Sequence, residues 1–205
     1  MESIFNFDLS ILIKTIGYLG IFFVIFAESG LFFGFFLPGD SLLFTAGLLA
    51  SQGYFSIIAL ILLTILGAIG GDQVGYLFGR KFGPKIFTKE DSFFFKKKYV
   101  HDAENFYQKY GKKTIILARF VPIVRTFVPI LAGVGNMHYK TFVSYNIIGG
   151  VLWGLGIPLL GYFLGENVPN IDKYLLPIII LIVFLSILPT IFSLIKNKYS
   201  KNVLK

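Results

Sequence analysis

Several residue types are missing or scarce in this chain of 205 residues, and each absence excludes a class of protein. There is no cysteine, which excludes disulfide frameworks, thiol nucleophiles and zinc sites with cysteine ligands. Only 15% of the residues are charged, whereas a soluble globular domain has about 25%. The chain therefore has too little polar surface to cover a globule in water.

Apolar residues take the place of the missing charges. Hydrophobic residues make up 55% of the chain and aromatic residues 18%, and a composition so rich in apolar groups excludes intrinsic disorder. The formal net charge of +8 would suit a nucleic-acid partner, but the basic residues are concentrated in the gaps between long apolar runs. The composition predicts an all-α integral membrane protein with no nucleic acid as partner.

Four long apolar stretches predict full membrane spans, because a spanning helix needs about 20 mostly apolar residues. These stretches are 9–27, 55–79, 141–165 and 174–195. The polar segment 80–113 carries ten basic and four acidic residues, and by the positive-inside rule such a segment faces the cytoplasm. Four spans then place both termini of the single polytopic domain, 1–205, in the cytoplasm as well.

Two further apolar stretches, 28–50 and 114–137, contain prolines and charges. Proline breaks an α-helix, and each charge at mid-membrane costs about 2.5–3.5 kcal/mol. We therefore expect both stretches to form re-entrant helical hairpins, which survive at membrane depth when they are buried in protein or line a cavity. The residues expected to break these hairpins are Pro38, Gly39, Pro122 and Pro129.

An internal repeat supports this architecture. Shifting the sequence by 86 residues superposes 28–79 on 114–165, and each copy is a hairpin followed by a span. The predicted orientations of the two copies are opposite, and inverted repeats with broken helices are typical of secondary transporters. The matching positions are Ala46 and Gly47 with Ala132 and Gly133, Gly70 with Gly156, Gly75 and Tyr76 with Gly161 and Tyr162, and Gly79 with Gly165.

Four charged residues stand in otherwise apolar surroundings. Unpaired, they would oppose membrane insertion by about 10–14 kcal/mol in total, which is comparable to the folding stability of a whole domain. They must therefore be paired, hydrated or neutral, and we expect the tips of the two hairpins to meet. Structural ion pairs alone are the alternative to a functional site. The four are Glu28 and Asp40 on the first hairpin, and Arg119 and Arg125 on the second.

The chemistry of these side chains indicates a site for a phosphate and for protons. A guanidinium offers a planar fork of donors that matches phosphate oxygens, so Arg119 and Arg125 are the predicted phosphate ligands. Glu28 and Asp40 are the predicted proton carriers, because a proton, an arginine and a phosphate would compete around the same carboxylates.

Three further residues are candidates for supporting roles. Asp72 is either a third carboxylate of the site or the partner of a lysine at a helix end, and we favour the lysine partner. Asn146 either belongs to the site or links two helices by a hydrogen bond. Trp153 either belongs to the site or serves packing and interfacial anchoring, and the second role is favoured.

An enzymatic function is not expected. The chain has neither a paired-histidine metal motif nor a Gly-x-Ser-x-Gly nucleophile elbow, so no catalytic residue, metal or cofactor is predicted. The residues 38–45 weakly resemble the Pro-Gly-x-Ser-Arg-Ser signature of a family of membrane undecaprenyl pyrophosphate phosphatases, but Leu42 stands where that signature has arginine. Phosphatase activity is therefore a weak alternative.

The combined pattern resembles the DedA family of bacterial membrane proteins, which is related to eukaryotic lipid scramblases through the VTT (SNARE-associated) domain. The resemblance covers about residues 20–165. It departs from many members of the family at Asp40, where they carry glutamate after Pro-Gly. The residues that carry it are Glu28, Pro38, Gly39, Asp40, Ala46, Gly47, Gly75, Tyr76, Gly79, Arg80, Gly83, Arg119, Phe120, Val121, Pro122, Arg125, Ala132, Gly133, Met137, Phe142, Asn146, Gly149 and Trp153.

The resemblance implies a function in lipid movement. DedA relatives are described as flippases that return undecaprenyl phosphate, or phosphatidylethanolamine in some members, to the cytoplasmic leaflet in dependence on the proton-motive force. The four intramembrane charges match the functional charges of the family. We therefore expect a proton-coupled carrier of a phosphate-bearing lipid, with undecaprenyl phosphate as the first candidate, in the bacterial inner membrane.

Three alternatives to this function remain open at the level of sequence. They are a phosphatidylethanolamine flippase, a proton-coupled antiporter of small cations or drugs, and a structural or assembly factor that transports nothing. The oligomeric state is also left open, and a homo-oligomer is compatible with the sequence.

Overall fold

A computed structural model describes residues 9–31, 34, 37–87, 111, 113–120, 122–168 and 177 of the chain. These residues form helices and connecting turns, with no strand among them, in agreement with the predicted all-α class. The helices, in chain order, are α1 (Leu9–Gly30), α2 (Gly39–Ser51), α3 (Ile57–Phe87), α4 (Thr114–Ala118), α5 (Pro122–Val134) and α6 (Tyr139–Asn167).

Three of the described helices are long and apolar enough to cross a membrane, and they are α1 from Ile13 to Gly30, α3 from Ile57 to Gly83, and the whole of α6. They coincide with the first three of the four predicted spans. Within α1 the helix is interrupted at Gly17, whose φ of 60° and ψ of −162° are not helical. A residue without a Cβ adopts this conformation at little cost.

Other predictions fall on residues that the structure does not describe. The fourth span, 174–195, lies outside the described residues except for residue 177. The predicted cytoplasmic segment 80–113 is described only at its two ends, where residues 80–87 continue α3 and residues 111 and 113 precede α4.

Both predicted hairpin segments contain a helix break. In the first, α1 ends at Gly30 and α2 begins at Gly39, directly after Pro38. In the second, α4 ends at Ala118 and α5 begins at Pro122. Proline is favourable at the first helical position, because the N–H that it lacks would have no partner inside the helix.

The prediction that Pro129 breaks a hairpin is wrong. This residue is inside α5, which continues to Val134. Its ring removes the hydrogen bond that an N–H at this position would donate to the carbonyl of Arg125. The buried ring packs beside Gly75 of α3, where an added Cβ would lie 3.4 Å from the Cβ of Pro129. Packing between the two helices therefore compensates for the missing bond.

The described part of the chain buries polar and charged groups within an apolar core and also exposes many large apolar side chains. Large apolar side chains are exposed at helical spacing on α3, as at Ile58, Leu62 and Leu66. Such wide apolar exposure is rare in soluble proteins and is what a lipid-facing surface requires. The buried polar or charged residues are Glu28, Ser29, Ser41, Thr45, Thr64, Asp72, Thr114, Arg119, Arg125, Thr126 and Asn146.

The helices α2 and α5 each pack on a long helix of the other half of the chain. Gly47 of α2 contacts the backbone carbonyl of Pro158 in α6. Gly133 of α5, 86 positions later, contacts the backbone carbonyl of Tyr76 in α3. A Cβ at either glycine would overlap that carbonyl, so backbone approaches backbone at both crossings. The crossings bring the two helix breaks into one interior.

Candidate functional site

One arginine connects the two helix breaks. Arg125, in the first turn of α5, donates from Nη1 to Asp40 Oδ1 at 2.9 Å and from Nη2 to Glu28 Oε1. Glu28 is in the last turn of α1, and Asp40 is the second residue of α2. The guanidinium and the Glu28 carboxylate are buried, whereas the side chain of Asp40 is 20% exposed. Asp40 is therefore the member of this group that solvent or a ligand reaches first.

The helix ends explain why these charges need one another. A negative charge is unfavourable at a helix C-terminus, and a positive charge is unfavourable at an N-terminus. Glu28 and Arg125 occupy these unfavourable ends of α1 and α5 and neutralise each other. Asp40 instead occupies the favourable N-terminal end of α2. The two breaks in the chain create the ends, and the ion pair stabilises them.

The single tryptophan of the chain completes this group. The indole N–H of Trp153, on α6, donates to Asp40 Oδ1 at 3.0 Å. The guanidinium carbon of Arg125 is 4.6 Å from the centroid of the same indole, within the range of a cation–π contact. The Trp153 side chain thus contacts both the carboxylate of Asp40 and the guanidinium of Arg125. We call Glu28, Asp40, Arg125 and Trp153 the Arg125 centre.

The other buried arginine has different partners. Arg119, directly after α4, donates to Asp72 of α3 and to Asn146 of α6. Asn146, which is fully buried, also donates to the backbone carbonyl of Ile69 at 3.2 Å. We call Arg119, Asp72 and Asn146 the Arg119 centre. Through its hydrogen bonds, this centre links the helix break before α5 to the long helices α3 and α6.

The two centres have different formal charges. When every group is ionised, the Arg125 centre holds two carboxylates and one guanidinium, for a net charge of −1. The Arg119 centre holds one carboxylate and one guanidinium, for a net charge of zero. The Arg119 centre is thus balanced as it stands, whereas the Arg125 centre has an excess of negative charge.

The structure divides the predicted set of four charges. The expectation that acids and bases of the two hairpins meet holds for Arg125, which contacts both Glu28 and Asp40. Arg119 pairs instead with Asp72, which lies in the middle of α3 rather than at a helix end beside a lysine. The favoured interpretation of Asp72 is therefore wrong, and the alternative of a buried carboxylate partner of the centre is what the structure contains.

The favoured interpretation of Trp153 is confirmed for packing, because the side chain belongs to the buried hydrophobic core, and is wrong for an interfacial anchor. The side chain is buried, with 2% exposure, and it donates to a carboxylate. The sequence offered one signal for this position. Asn146 and Trp153 are two turns apart on one apolar helix, so two polar side chains project from the same face of α6 toward the two centres.

Buried polar atoms without a partner also belong mostly to these centres. Among the described residues, the buried side-chain atoms that lack a hydrogen bond are Glu28 Oε2, Gln73 Oε1, Arg119 Nε and Arg125 Nε. A buried polar atom without a partner costs about 1–3 kcal/mol. Both centres therefore retain hydrogen-bonding capacity that a ligand can use. No group of three potential metal ligands occurs among the described residues.

Comparison with known proteins places the chain in a family. Residues 37–163, more than half of the chain, match the VTT domain. The chain belongs to the VTT-domain family. It is 46% identical to protein DedA of Escherichia coli K12 over 180 residues, which are 87% of this chain and 82% of DedA. The predicted membership of the DedA family is thereby confirmed.

Other relatives of this VTT-domain protein are also membrane proteins by name. An uncharacterized membrane protein of Mycobacterium tuberculosis is 52% identical over 176 residues, which are 85% of this chain and 77% of the relative. The inner membrane protein YqjA of E. coli K12 is 32% identical over 191 residues, which are 89% of this chain and 86% of YqjA. No solved structure matches the chain. With its three candidate spans, this VTT-domain protein is a multi-pass membrane protein.

Proposed function

We propose that this VTT-domain protein is a flippase that moves a phosphate-bearing lipid between leaflets and is coupled to protons. The first candidate substrate is undecaprenyl phosphate. One observation carries the proposal: the buried Arg125 guanidinium is held by two carboxylates, one of which is partly exposed. The phosphate ligand and the proton acceptors that such coupling needs are thus in direct contact.

Charge arithmetic supports the coupling. With both carboxylates ionised, the Arg125 centre has a net charge of −1 and repels an anionic headgroup. Protonation of Glu28 and Asp40 changes this to +1 and leaves the guanidinium without an anionic partner. A phosphate then replaces the carboxylates, and release of the protons on the other side expels it. Proton movement and headgroup movement are thereby linked.

The arrangement of the helices supports movement of the headgroup alone. The interior holds the charged centres, and the outer faces of the long helices are apolar. The hydrocarbon tail stays in the bilayer, because moving the headgroup past the two charged centres costs less than burying a long chain in protein. In this proposal α2 and α5 are the re-entrant elements of an inverted repeat, which is the architecture of transporters with alternating access. Their equivalent glycines, Gly47 and Gly133, cross the opposite long helices in the same manner.

The site of action in this proposal is the bacterial inner membrane, with both termini in the cytoplasm. A relative, YqjA, is named an inner membrane protein. The predicted role of Arg119 as a second phosphate ligand remains a prediction, since Asp72 and Asn146 occupy its guanidinium. No catalytic step is part of the proposal.

The experiment that tests the proposal measures headgroup accessibility of undecaprenyl phosphate in proteoliposomes, with and without a proton gradient. Wild-type protein should equilibrate the headgroup between leaflets, and the gradient should bias its distribution. Vesicles with phosphatidylethanolamine as the labelled lipid test the second lipid. Release of inorganic phosphate, measured in the same vesicles, would indicate a phosphatase instead. A wild-type protein that moves neither lipid contradicts the proposal.

A proton-coupled antiporter of small cations is the second candidate, and the net charge of the Arg125 centre favours it. A cation would compete with Arg125 for Glu28 and Asp40, and Asp40 is partly exposed. Binding assays separate the two candidates. The flippase binds lipid phosphate and ignores small cationic ligands, whereas the antiporter does the reverse.

A further inference from the structure

The carboxylate of Glu28 is bound at one oxygen only. Its Oε1 accepts from Arg125, and its buried Oε2 has no hydrogen-bond partner. This second oxygen lies against the Cα of Gly39, the first residue of α2. A Cβ added to Gly39 would overlap the carboxylate. The side chain of a residue that is 97% buried therefore directs an unpartnered oxygen into the start of a helix.

The start of α2 is suited to an anion. The first N–H groups of an α-helix have no partner inside the helix, and the helix dipole places partial positive charge there. In α2 the N–H of Gly39 donates to Leu37 and that of Leu42 to Pro38. The hydroxyl of Ser41 also donates to Pro38, at 3.1 Å. Among the described residues, no acceptor is found for the other two donors of this first turn, the backbone N–H groups of Asp40 and Ser41.

These two features, with Arg125, form the components of a phosphate site. Helix N-termini bind phosphate when a small residue lets the oxygens approach the backbone, and Gly39 is such a residue. A guanidinium beside the same helix start supplies the planar fork that matches phosphate oxygens. Arg125 is in that position, because it bonds both Glu28 and Asp40.

We propose that the first turn of α2 is the phosphate seat of the transporter, and that the Glu28 carboxylate, which lies beside it against Gly39, blocks it until the phosphate monoester of the substrate displaces the carboxylate. This inference rests on the proposed function and specifies its site. The phosphate binds the N–H groups of Asp40 and Ser41 and the guanidinium of Arg125. Glu28 is then a competitor for the seat as well as a proton carrier.

The chain contains its own reporter for this seat. Trp153 is the single tryptophan, and it contacts both Asp40 and Arg125. Displacement of Glu28 by a phosphate changes the surroundings of Arg125 and therefore the tryptophan emission. Full-length protein in detergent is titrated with three probes: a short-chain isoprenyl monophosphate, the matching isoprenol, and inorganic phosphate. The isoprenol detects binding through the hydrocarbon alone, and inorganic phosphate detects a site for the free ion.

Gly39→Ala tests the seat without changing any charge. The new methyl group projects into the place of the Glu28 carboxylate, so isoprenyl monophosphate should bind at least about tenfold more weakly. The matched control is Gly156→Ala on α6, where an added Cβ meets nothing within 4 Å. This control should bind within about twofold of wild type, because no contact changes.

Glu28→Gln covers the case in which Gly39→Ala does not fold. Glutamine keeps the size of the side chain and removes its charge, so the competing anion is lost. Isoprenyl monophosphate should then bind about tenfold more tightly at pH 7, while flipping in proteoliposomes slows because the proton carrier is gone. A misfolded protein cannot gain affinity, and a purely structural role of Glu28 predicts no gain.

The outcomes separate this inference from the proposed function. Weaker binding in Gly39→Ala and tighter binding in Glu28→Gln support the seat. Unchanged affinity in both variants, with wild-type flipping intact, overturns the seat and leaves the flippase proposal standing. A wild-type protein that neither binds the monophosphate nor flips phosphate lipid overturns both. Equal affinity for inorganic phosphate and the monophosphate supports the seat and identifies free phosphate as a ligand.

Discussion

The guanidinium of Arg125 lies against the indole ring of Trp153, with 4.6 Å between its central carbon and the ring centroid. The same indole donates to Asp40. Trp153 therefore contacts an acid and a base that are also bonded to each other.

Replacing Arg125 by alanine should abolish lipid transport, and it should also destabilise the protein, because it leaves the buried Glu28 carboxylate without its partner. Loss of one partner of a buried charged hydrogen bond costs about 2–5 kcal/mol, so flipping of undecaprenyl phosphate in proteoliposomes should fall by at least about 30-fold. Arg80→Ala is the matched control, because Arg80 is exposed and lies outside both centres. Full activity of Arg125→Ala would remove the phosphate role of this residue.

Replacing Arg119 by alanine should lower the stability of the protein and not only its rate of lipid transport. The variant leaves the buried carboxylate of Asp72 without its partner, which costs about 3–5 kcal/mol. The double variant Arg119→Met with Asp72→Leu should recover most of this loss, because apolar residues of similar size replace a buried pair with little penalty. Thermal unfolding in detergent measures both effects.

The same double variant also tests the predicted phosphate role of Arg119. If Arg119 binds the phosphate, the restored protein remains inactive in the flipping assay. Recovery of transport together with stability would instead assign Arg119 to positioning the break before α5. A protein in which all these charges are only structural ion pairs keeps its function when acid and base exchange places, as in Asp72→Arg with Arg119→Asp.

Replacing Trp153 by phenylalanine distinguishes the effects of its two contacts on transport. Phenylalanine keeps an aromatic face for Arg125 and removes the hydrogen bond to Asp40. A hydrogen bond to a charged group contributes about 1.5–3 kcal/mol, so transport should fall by roughly tenfold. Trp153→Leu removes both contacts and should be slower still. Equal rates for the two variants would mean that the cation–π contact contributes nothing.

Adding a methyl group at Gly47 or Gly133 should separate the helices that cross there. Each added Cβ overlaps a backbone carbonyl of the opposing helix, and overpacking of this kind costs about 1–3 kcal/mol. Gly156→Ala has open space around its Cβ, so it should be neutral or more stable, because alanine favours a helix over glycine. Thermal unfolding of the three variants in one detergent provides the comparison. Equal stability of all three would contradict the close crossings.

Much of the architecture could be read from local patterns. Apolar length indicated three spans that the structure contains, and Pro38 and Pro122 marked the starts of α2 and α5. Pro129 was misread for a physical reason. A proline breaks a helix only when nothing compensates for its missing hydrogen bond, and packing against Gly75 is not visible in the sequence.

The sequence by itself determined that buried charges must find partners, because an unpaired charge in the bilayer interior is too costly. Tertiary structure alone decided which partners they find. Trp153 and Asp40 are 113 residues apart, and Arg119 and Asp72 are 47 apart. Pairings at such separations depend on how the helices cross, and the crossings depend on close backbone contacts at glycines. The need of each buried charge for a partner therefore follows from the residue types alone. The division of the charges into two centres follows from how the helices pack.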